Sequence, residues 1–303
     1  MRLFFALLFA FGLLGSGWAA PVGAQDDQID PAFSNEILST LGYPEVEISV
    51  GPDGVTAPAS LAAGHYLVTL SAAEPYIGYV NFMQPTEGLS QEEATKMALE
   101  SGAGDIVHPG WVYAGGSNTP AAGEPVSFVV ELRPGEYQIA ASYYVPPGDT
   151  EEMILSPLTV TEADAVTPAT SAPEAAVTLE MTDELQYLIT PETVPTGPQV
   201  WEITNSGEMM SHHVVMMRVP DGTTAPQIIT EFNSMMAGTP PAGDSVFAQG
   251  VWVGYAALQS GGWTTWAEFD LSPATYAVIC FIIDSETGRP HAVDGMVTVF
   301  QVA

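Results

Sequence analysis

Near its C-terminus the chain reads Tyr276-Ala-Val-Ile-Cys280, then ten residues of loop, and then His291-Ala-Val-Asp-Gly-Met296, which leads into Val297–Val302. Cys280 is the single cysteine of the protein. A thiolate and an imidazole form strong equatorial bonds to copper, and a thioether forms a weak axial bond. A strand ending at Cys280 and a strand starting after Met296 would bring these donors together with His291. The stretch therefore predicts a copper site at the end of a β-sheet.

A second imidazole has to come from elsewhere in the chain. The only adjacent pair of histidines is His212-His213, which follows the turn Asn205-Ser-Gly207. Neighbouring residues of a strand face opposite sides of a sheet, so only one of the two is expected at the site. The residues alone leave open which one it is.

This order of residues resembles the ligand loop of the cupredoxins, the type 1 or blue copper proteins. The shared features are a tyrosine four residues before a cysteine, a following histidine, and Gly-Met before a short terminal strand. The Asn-x-Gly turn followed by a histidine is similar to the family's first ligand. The resemblance implies one copper ion with His212, Cys280 and His291 as equatorial ligands and Met296 as the axial ligand.

The resemblance covers roughly the last third of the chain, and two features depart from the small electron carriers of the family. The loop between Cys280 and His291 is longer, and Ser211 stands where those proteins often have proline. In such families the histidine of the ligand loop passes the electron, which implies this role for His291. Ala292 and Val293 would then form an apolar docking patch for a redox partner.

Each of these residues alone also has an ordinary structural role. Cys280 alone would be a buried small hydrophobic residue, because free cysteine is among the most buried residue types. His291 alone would be a solvated loop residue, and Met296 alone would be a core residue at a strand start. Their combination with His212 favours a metal site.

The sequence also falls into two halves that repeat. Leu132-Arg-Pro-Gly-Glu-Tyr137 corresponds to Leu271-Ser-Pro-Ala-Thr-Tyr276, and a helical pattern follows Ser90 in the first half and Thr224 in the second. Short strand-like runs between Gly, Pro, Asn and Asp turns predict an all-β protein. We expect two tandem Greek-key cupredoxin-like β-sandwiches, each with one short inserted helix.

The repeat allows an internal comparison of the two halves. Aligning Tyr137 with Tyr276 places Ala141 at the position of Cys280. Aligning Gly88 with Gly222 places Gly78 at the position of His212. The N-terminal half is therefore predicted to have the scaffold without the copper ligands.

The predicted organisation has four parts. They are a secretory signal peptide at 1–24, an N-terminal cupredoxin-like domain at 43–162, a linker rich in Ala, Thr, Pro and Glu at 163–176, and a C-terminal domain with the candidate copper site at 177–303. The apolar run from Leu3 to Leu14 is too short for a membrane span and is typical of a signal peptide. After cleavage near Ala24 we expect an extracytoplasmic protein, either periplasmic or secreted.

Charge limits the classes of partner. The chain has 36 acidic and 5 basic residues, and its formal net charge is -31. Such a surface repels nucleic acid and anionic lipid. We expect a redox partner protein of unknown identity, no nucleic acid and no stable membrane association.

These features together predict one-electron transfer through a type 1 copper site. One alternative is a copper storage or delivery protein that uses His212, His213 and nearby methionines, and another is a metal-free β-sandwich binding module. We expect no enzymatic activity, because five histidines are too few for a trinuclear oxidase. In addition, Ile279 stands before Cys280, where a histidine linking to a second copper would be needed.

Overall fold

Strands dominate the computed structural model, which describes residues 32–101, 107–145, 152–163, 171–239, 243–284 and 286–303. The elements of the first half are, in chain order, β1 (Glu45–Gly51), β2 (Gly54–Thr56), β3 (Ser60–Ala62), β4 (Gly64–Ala72), β5 (Ile77–Pro85), α1 (Gln91–Ser101), β6 (Trp111–Asn118), β7 (Val126–Leu132), β8 (Gly135–Tyr144) and β9 (Glu152–Thr161). A short 3-10 helix, Leu38–Thr40, precedes them.

The elements of the second half are β10 (Val177–Met181), β11 (Tyr187–Thr190), β12 (Thr193–Val194), β13 (Gly197–Asn205), β14 (His212–Val219), α2 (Ala225–Met236), α3 (Val246–Gln249), β15 (Val251–Gln259), β16 (Thr264–Leu271), β17 (Ala274–Ile279) and β18 (Val297–Val302). None of the helices in the described part of the chain is long and apolar enough to cross a membrane.

The two halves have the same strand order. The first half contributes β7-β4-β1-β2 to one sheet and β6-β5-β8-β9-β3 to the other. The second half contributes β16-β13-β10-β11 and β15-β14-β17-β18-β12, which are the corresponding strands in the corresponding order. The predicted all-β fold of two tandem β-sandwiches is confirmed, and the shared order supports duplication of one unit.

The halves are joined edge to edge rather than only through their linker. β7 pairs with β16, and β6 pairs with β15, so the two sheets of eight and ten strands run through both halves. This pairing covers strand edges that would otherwise present unpaired backbone groups. The domain boundaries stay a prediction, because the sheets cross from one half to the other, and residues 1–31 and 164–170 lie outside the described part.

Capping residues account for where the helices begin. The Ser90 N–H donates to Oε2 of Glu93 at 2.9 Å, and the Glu93 N–H donates to Oγ of Ser90 at 3.2 Å, which is a capping box before α1. Thr224 is the N-cap of α2, and its N–H donates to Oε1 of Gln227 at 2.9 Å. The second half also holds the four-residue α3, which is too short to show a helical period in the sequence.

The core that matters for the candidate site lies between the two sheets of the second half. It contains Cys280 and Met296 together with Trp201. It also extends across the junction to Trp111 and Tyr113 of the first half. The candidate site is therefore packed against both halves.

Candidate metal centre

Three strand ends place the candidate ligands at the same edge of the sheet. His212 is the first residue of β14, Cys280 directly follows β17, and Met296 directly precedes β18. Because β17 pairs with both β14 and β18, these ends lie side by side. The Cys280 N–H donates to the Met296 carbonyl at 3.2 Å, and the Met296 N–H donates to the His291 carbonyl at 2.9 Å.

Two imidazoles and the thiol converge in this position. Cys280 Sγ lies 3.5 Å from Nδ1 of His291 and 4.0 Å from Nδ1 of His212, and the two Nδ1 atoms are 3.1 Å apart. These three residues are the one group of His, Cys, Asp and Glu in the described residues with spacing suited to a metal ion. Metal bonds of about 2.0–2.3 Å to nitrogen and sulfur, as in zinc sites, place donor atoms roughly 3–4 Å apart.

Met296 belongs to the same buried environment. Its side chain has no exposed surface, and it lies in the same apolar cluster as Cys280. Its backbone bonds to Cys280 and His291 hold it beside both residues. The structure therefore brings all four predicted ligands together, while their role as ligands stays a prediction.

Burial keeps the cluster neutral when no metal is bound. Desolvation raises the pKa of the Cys280 thiol to about 12, although neighbouring hydrogen-bond groups oppose this. Desolvation, followed by the charge of His291, lowers the pKa of His212 to about 3. Desolvation also lowers the pKa of His291, while the nearby Asp284 and Asp294 carboxylates act in the opposite direction. Two neutral imidazoles beside a protonated thiol can take a metal ion by losing one proton.

The donor set fits copper. One thiolate and two imidazoles suit the strong equatorial positions, and a thioether suits the weak axial one. The neutral imidazoles are in the protonation state that a metal ligand needs, and apolar packing around them shields the site from water. The residues present are therefore suited to one copper ion of the type 1 kind.

His213 faces away from this group. Its Nε2 accepts the Phe281 N–H at 2.8 Å, and its ring packs edge-on against the ring of Tyr255, with the ring centres 5.8 Å apart and an angle of 67° between the planes. Burial lowers the pKa of His213 to about 3. Because His213 faces away from His212, this arrangement does not bring both histidines to one copper storage site.

Two polar side chains hold the loop before His212, and the sequence did not indicate that they act together. Asn205 Nδ2 donates to the carbonyls of Met210 and Gln259, both at 2.8 Å. Asp183 accepts the N–H groups of Glu208, at 2.8 Å, and Met210, at 3.0 Å. Burial opposes ionisation of Asp183, but these backbone donors outweigh it and hold its pKa below the usual range.

Tyr187 is a second residue that the sequence reading missed. Its hydroxyl donates to the His213 carbonyl and also lies close enough to the Cys280 thiol to act on its pKa. Desolvation, and then the charge of Cys280, raises the pKa of Tyr187 well above its ordinary value. No spacing in the sequence signals this contact, because it forms only when β11 folds over the site.

The long loop after Cys280 does not carry His291 away. Ile283 forms a β-bridge with Pro290, and the His291 N–H donates to the Ile282 carbonyl at 2.8 Å. The additional residues therefore form a hairpin of their own, and its base returns the chain to Cys280.

The expected docking patch needs a correction. Ala292 is fully buried, because its N–H donates to the Cys280 carbonyl at 2.8 Å and its side chain packs into the core. Val293 is half-buried, and the His291 side chain is only 2% exposed. Asp294 and Gly295 are the exposed residues above His291.

The first half has no comparable group of metal donors among its described residues. A Cβ added at Gly78 would lie 2.5 Å from Cγ1 of Val50 and 3.1 Å from Cβ of Ala72. Ala141, at the position of Cys280, is fully buried. Apolar packing therefore fills the place that the ligands occupy in the second half. His65 and His108 also lie outside the metal-ligand group.

Comparisons with known proteins give structural matches only. No protein-family model matches the sequence, and no curated protein matches it either. A solved structure of auracyanin from Roseiflexus castenholzii aligns at 22% identity over 43% of this chain and 99% of its own, with a TM-score of 0.25. The chain's own strand order shows two tandem β-sandwiches.

Two further matches span most of this chain. The McoA multicopper oxidase of Aquifex aeolicus aligns over 86% of this chain and 66% of its own, at 13% identity and a TM-score of 0.22. A copper-containing nitrite reductase of Thermus scotoductus aligns over 86% and 60%, at 9% identity and a TM-score of 0.23.

The expectation that the chain is not an enzyme is corrected by these two matches. Both matched proteins are enzymes by name, and each aligns over 86% of this chain. Histidine count and the residue before Cys280 bear only on particular types of copper enzyme. They do not exclude catalysis in general.

Proposed function

We propose that this protein transfers single electrons through one type 1 copper ion in its second half. The observation that carries the proposal is the convergence of Cys280 Sγ with Nδ1 of His212 and His291 within 4.0 Å, in a fully buried cluster. A bound copper ion would supply a reversible change between Cu(II) and Cu(I).

The four side chains have different parts in this function. Cys280, His212 and His291 would hold the ion through strong bonds, and the Met296 thioether would supply a weak one. Cys280 loses its proton on binding, while both imidazoles are already neutral. Met296 and Cys280 are also tied by a backbone hydrogen bond, which limits how far the two can separate.

A rigid site supports rapid electron exchange, because little has to move between the two oxidation states. Three paired strands carry the ligands, and the loop before His212 is tied by Asn205 and Asp183. The hairpin between Ile283 and Pro290 fixes the return of the loop that carries His291. The protein itself therefore limits rearrangement of the donors.

We propose further that electrons enter and leave beside His291. The Asp284 and Asp294 carboxylates act on the His291 ring, so it lies just beneath the surface. With a net charge of -31, the protein would attract a redox partner with a positively charged docking surface. Screening by salt should weaken this attraction.

An extracytoplasmic location, periplasmic or secreted, is part of the same proposal. Its support is the apolar run from Leu3 to Leu14 and the small residues before Ala24. A lone cysteine in an oxidising compartment needs protection, and complete burial of Cys280 provides it. Expression of the full chain followed by N-terminal sequencing of the exported protein tests the cleavage near Ala24.

Voltammetry of the copper-loaded protein tests the electron-transfer function. We expect one reversible one-electron wave. In a separate kinetic measurement, the rate at which a small cationic complex reduces the protein should fall as salt is added. The same experiment with an anionic complex is the matched control, and its rate should rise with salt. A copper-loaded protein without a reversible wave would refute the proposed function.

A further inference from the structure

A chain of hydrogen bonds links the first half to the residue before His212. The hydroxyl oxygens of Ser211 and Ser260 are 2.9 Å apart. Ser260 Oγ accepts the Tyr113 N–H at 3.0 Å, and the Ser260 N–H donates to the Tyr113 carbonyl at 2.9 Å. Tyr113 lies on β6 of the first half, so this chain crosses the junction between the halves.

Ser260 joins the two ends of this series of hydrogen bonds. Its hydroxyl oxygen accepts the Tyr113 N–H and keeps one proton and one lone pair, so either serine can donate in the bond to Ser211. Ser211 is 8% exposed and Tyr113 is 4% exposed, so water competes little for these groups.

Tyr113 is itself fixed in place. Its hydroxyl accepts the His108 N–H at 3.0 Å, and its ring lies in the apolar cluster that contains Cys280 and Met296. Tyr113 is therefore held both by this hydrogen bond and by packing in the cluster to which Cys280 and Met296 belong.

The strand pairing places His212 next to the same junction. His212 pairs with Gln259, and Gln259 in turn pairs with Ala114 of the first half. In the repeat, the residue that corresponds to Ser211 is the apolar Ile77. The bridging hydroxyl is thus present in the half with the metal donors and absent from the corresponding position of the other half.

We propose that the first half is a positioning device for the copper site. Tyr113 and Ser260 hold Ser211, and Ser211 in turn fixes the orientation of His212. Ser211 and Ser260 are positioning residues in this account. Measurements on the copper-loaded protein rest on the proposed function. The orientation of the His212 ring can also be measured in metal-free protein, without that assumption.

The competing explanation is that these bonds only hold the two halves together. Ser117 provides the matched control, because its Oγ donates across the same junction to the Tyr255 carbonyl at 3.5 Å. It is buried, and this bond makes no contact with a candidate ligand. If these bonds only hold the halves together, replacing Ser117 and replacing Ser211 should affect the copper site to a similar degree. If Ser211 positions His212, only the replacement of Ser211 should affect it.

The experiment compares Ser211→Ala, Ser211→Thr and Ser117→Ala with the wild-type full chain. Three quantities are measured: Cu(II) affinity by competition with a chelator, the copper paramagnetic resonance spectrum, and the ¹⁵N signals of the His212 ring in metal-free protein. We expect Ser211→Ala to bind Cu(II) about tenfold more weakly, with altered copper hyperfine splitting and a broadened His212 signal. Ser211→Thr, which keeps the hydroxyl, and Ser117→Ala should behave as wild type.

Two results would overturn the positioning role. One is a folded Ser211→Ala protein with wild-type spectra, and the other is equal broadening of the His212 signal in Ser117→Ala. A wild-type protein that binds no copper would refute the proposed function instead. The His212 ring signals of the metal-free variants would still decide the positioning role in that case. If Ser211→Ala does not fold, Ser260→Ala replaces it with the same expected readouts.

Discussion

Cys280 Sγ lies 3.5 Å from Nδ1 of His291, although ten residues separate the two in the sequence. The bridge between Ile283 and Pro290 brings the two ends of this loop together. The length of the loop therefore does not determine the distance between Cys280 and His291. The separation of thiol and imidazole is set by the base of the hairpin, where the His291 N–H bonds to the Ile282 carbonyl.

Replacing each histidine of the pair should give opposite results. His212→Ala should remove the strong copper–thiolate absorption, because it removes one of the three converging donors. His213→Phe should retain it, since His213 faces away from the site. It should lower the free energy of unfolding by about 1–3 kcal/mol, because the buried Phe281 N–H loses its acceptor. Visible spectra and urea unfolding measure both effects, and a colourless His213→Phe beside a blue His212→Ala would reverse the assignment.

Copper affinity should increase about tenfold per pH unit, because one proton is released for each ion bound. The thiol of Cys280 is the group that loses the proton, since its pKa is about 12 in the metal-free protein. The pKa of His212 is about 3, so this ring takes up no proton near neutral pH, and burial lowers the pKa of His291 as well. Chelator competition from about pH 5.5 to about pH 8 measures the slope. A slope of three, which needs both rings to be protonated, would contradict the neutral state of His212.

Asp183→Asn should loosen the loop before His212. An amide oxygen replaces two carboxylate oxygens that accept the Glu208 and Met210 N–H groups. We expect a loss of about 1 kcal/mol in the free energy of unfolding at neutral pH, because these bonds are partly solvated.

The acid dependence of this effect has a definite sign. The pKa of Asp183 is lower in the folded state, so its stabilisation is present above the unfolded value and is lost as pH falls through the folded one. The free energy of unfolding of Asp183→Asn should therefore fall less steeply with decreasing pH than that of the wild type. Glu184→Gln, at an exposed neighbouring position, is the control. Identical acid unfolding of Asp183→Asn and wild type would contradict the account.

Gly78→Ala should destabilise the protein although the substitution adds one methyl group. The new Cβ would lie 2.5 Å from Cγ1 of Val50 and 3.1 Å from Cβ of Ala72, so packed side chains must move. Overpacking of this kind costs about 1–3 kcal/mol. Gly51→Ala controls for the general effect of replacing glycine, because its Cβ would meet nothing within 4 Å and its φ is not positive. If Gly78→Ala unfolds at the same temperature as the wild type, the position of the first half that corresponds to His212 is not filled by apolar packing.

The sequence was sufficient to predict the strands and the repeat, and the structure brings together the four residues that were predicted as ligands. Alternating apolar residues identify strands locally, and soft donors such as Cys280 and Met296 are rare enough to be noticed. The preference for His212 over His213 came from the family resemblance. The structure places His212 beside Cys280 and directs His213 to Phe281.

The contacts between distant parts of the chain could not be predicted in the same way. Pairing of β6 with β15 and of β7 with β16 depends on which strand edges meet after folding, and no local pattern encodes that. The same holds for Asp183 and Tyr187, which act on the site from the opposite sheet. The family resemblance implied that Ala292 is part of an exposed docking patch, but a backbone hydrogen bond to Cys280 turns it inward.

Visible and paramagnetic resonance spectra of the protein titrated with Cu(II), beside those of Cys280→Ser, test the central claim most directly. The claim is that Cys280 binds copper together with His212 and His291. We expect one copper ion per chain and an intense thiolate-to-copper absorption band that is absent from the Cys280→Ser protein. A wild-type protein that stays colourless, or a band that persists in the Cys280→Ser protein, would contradict the claim.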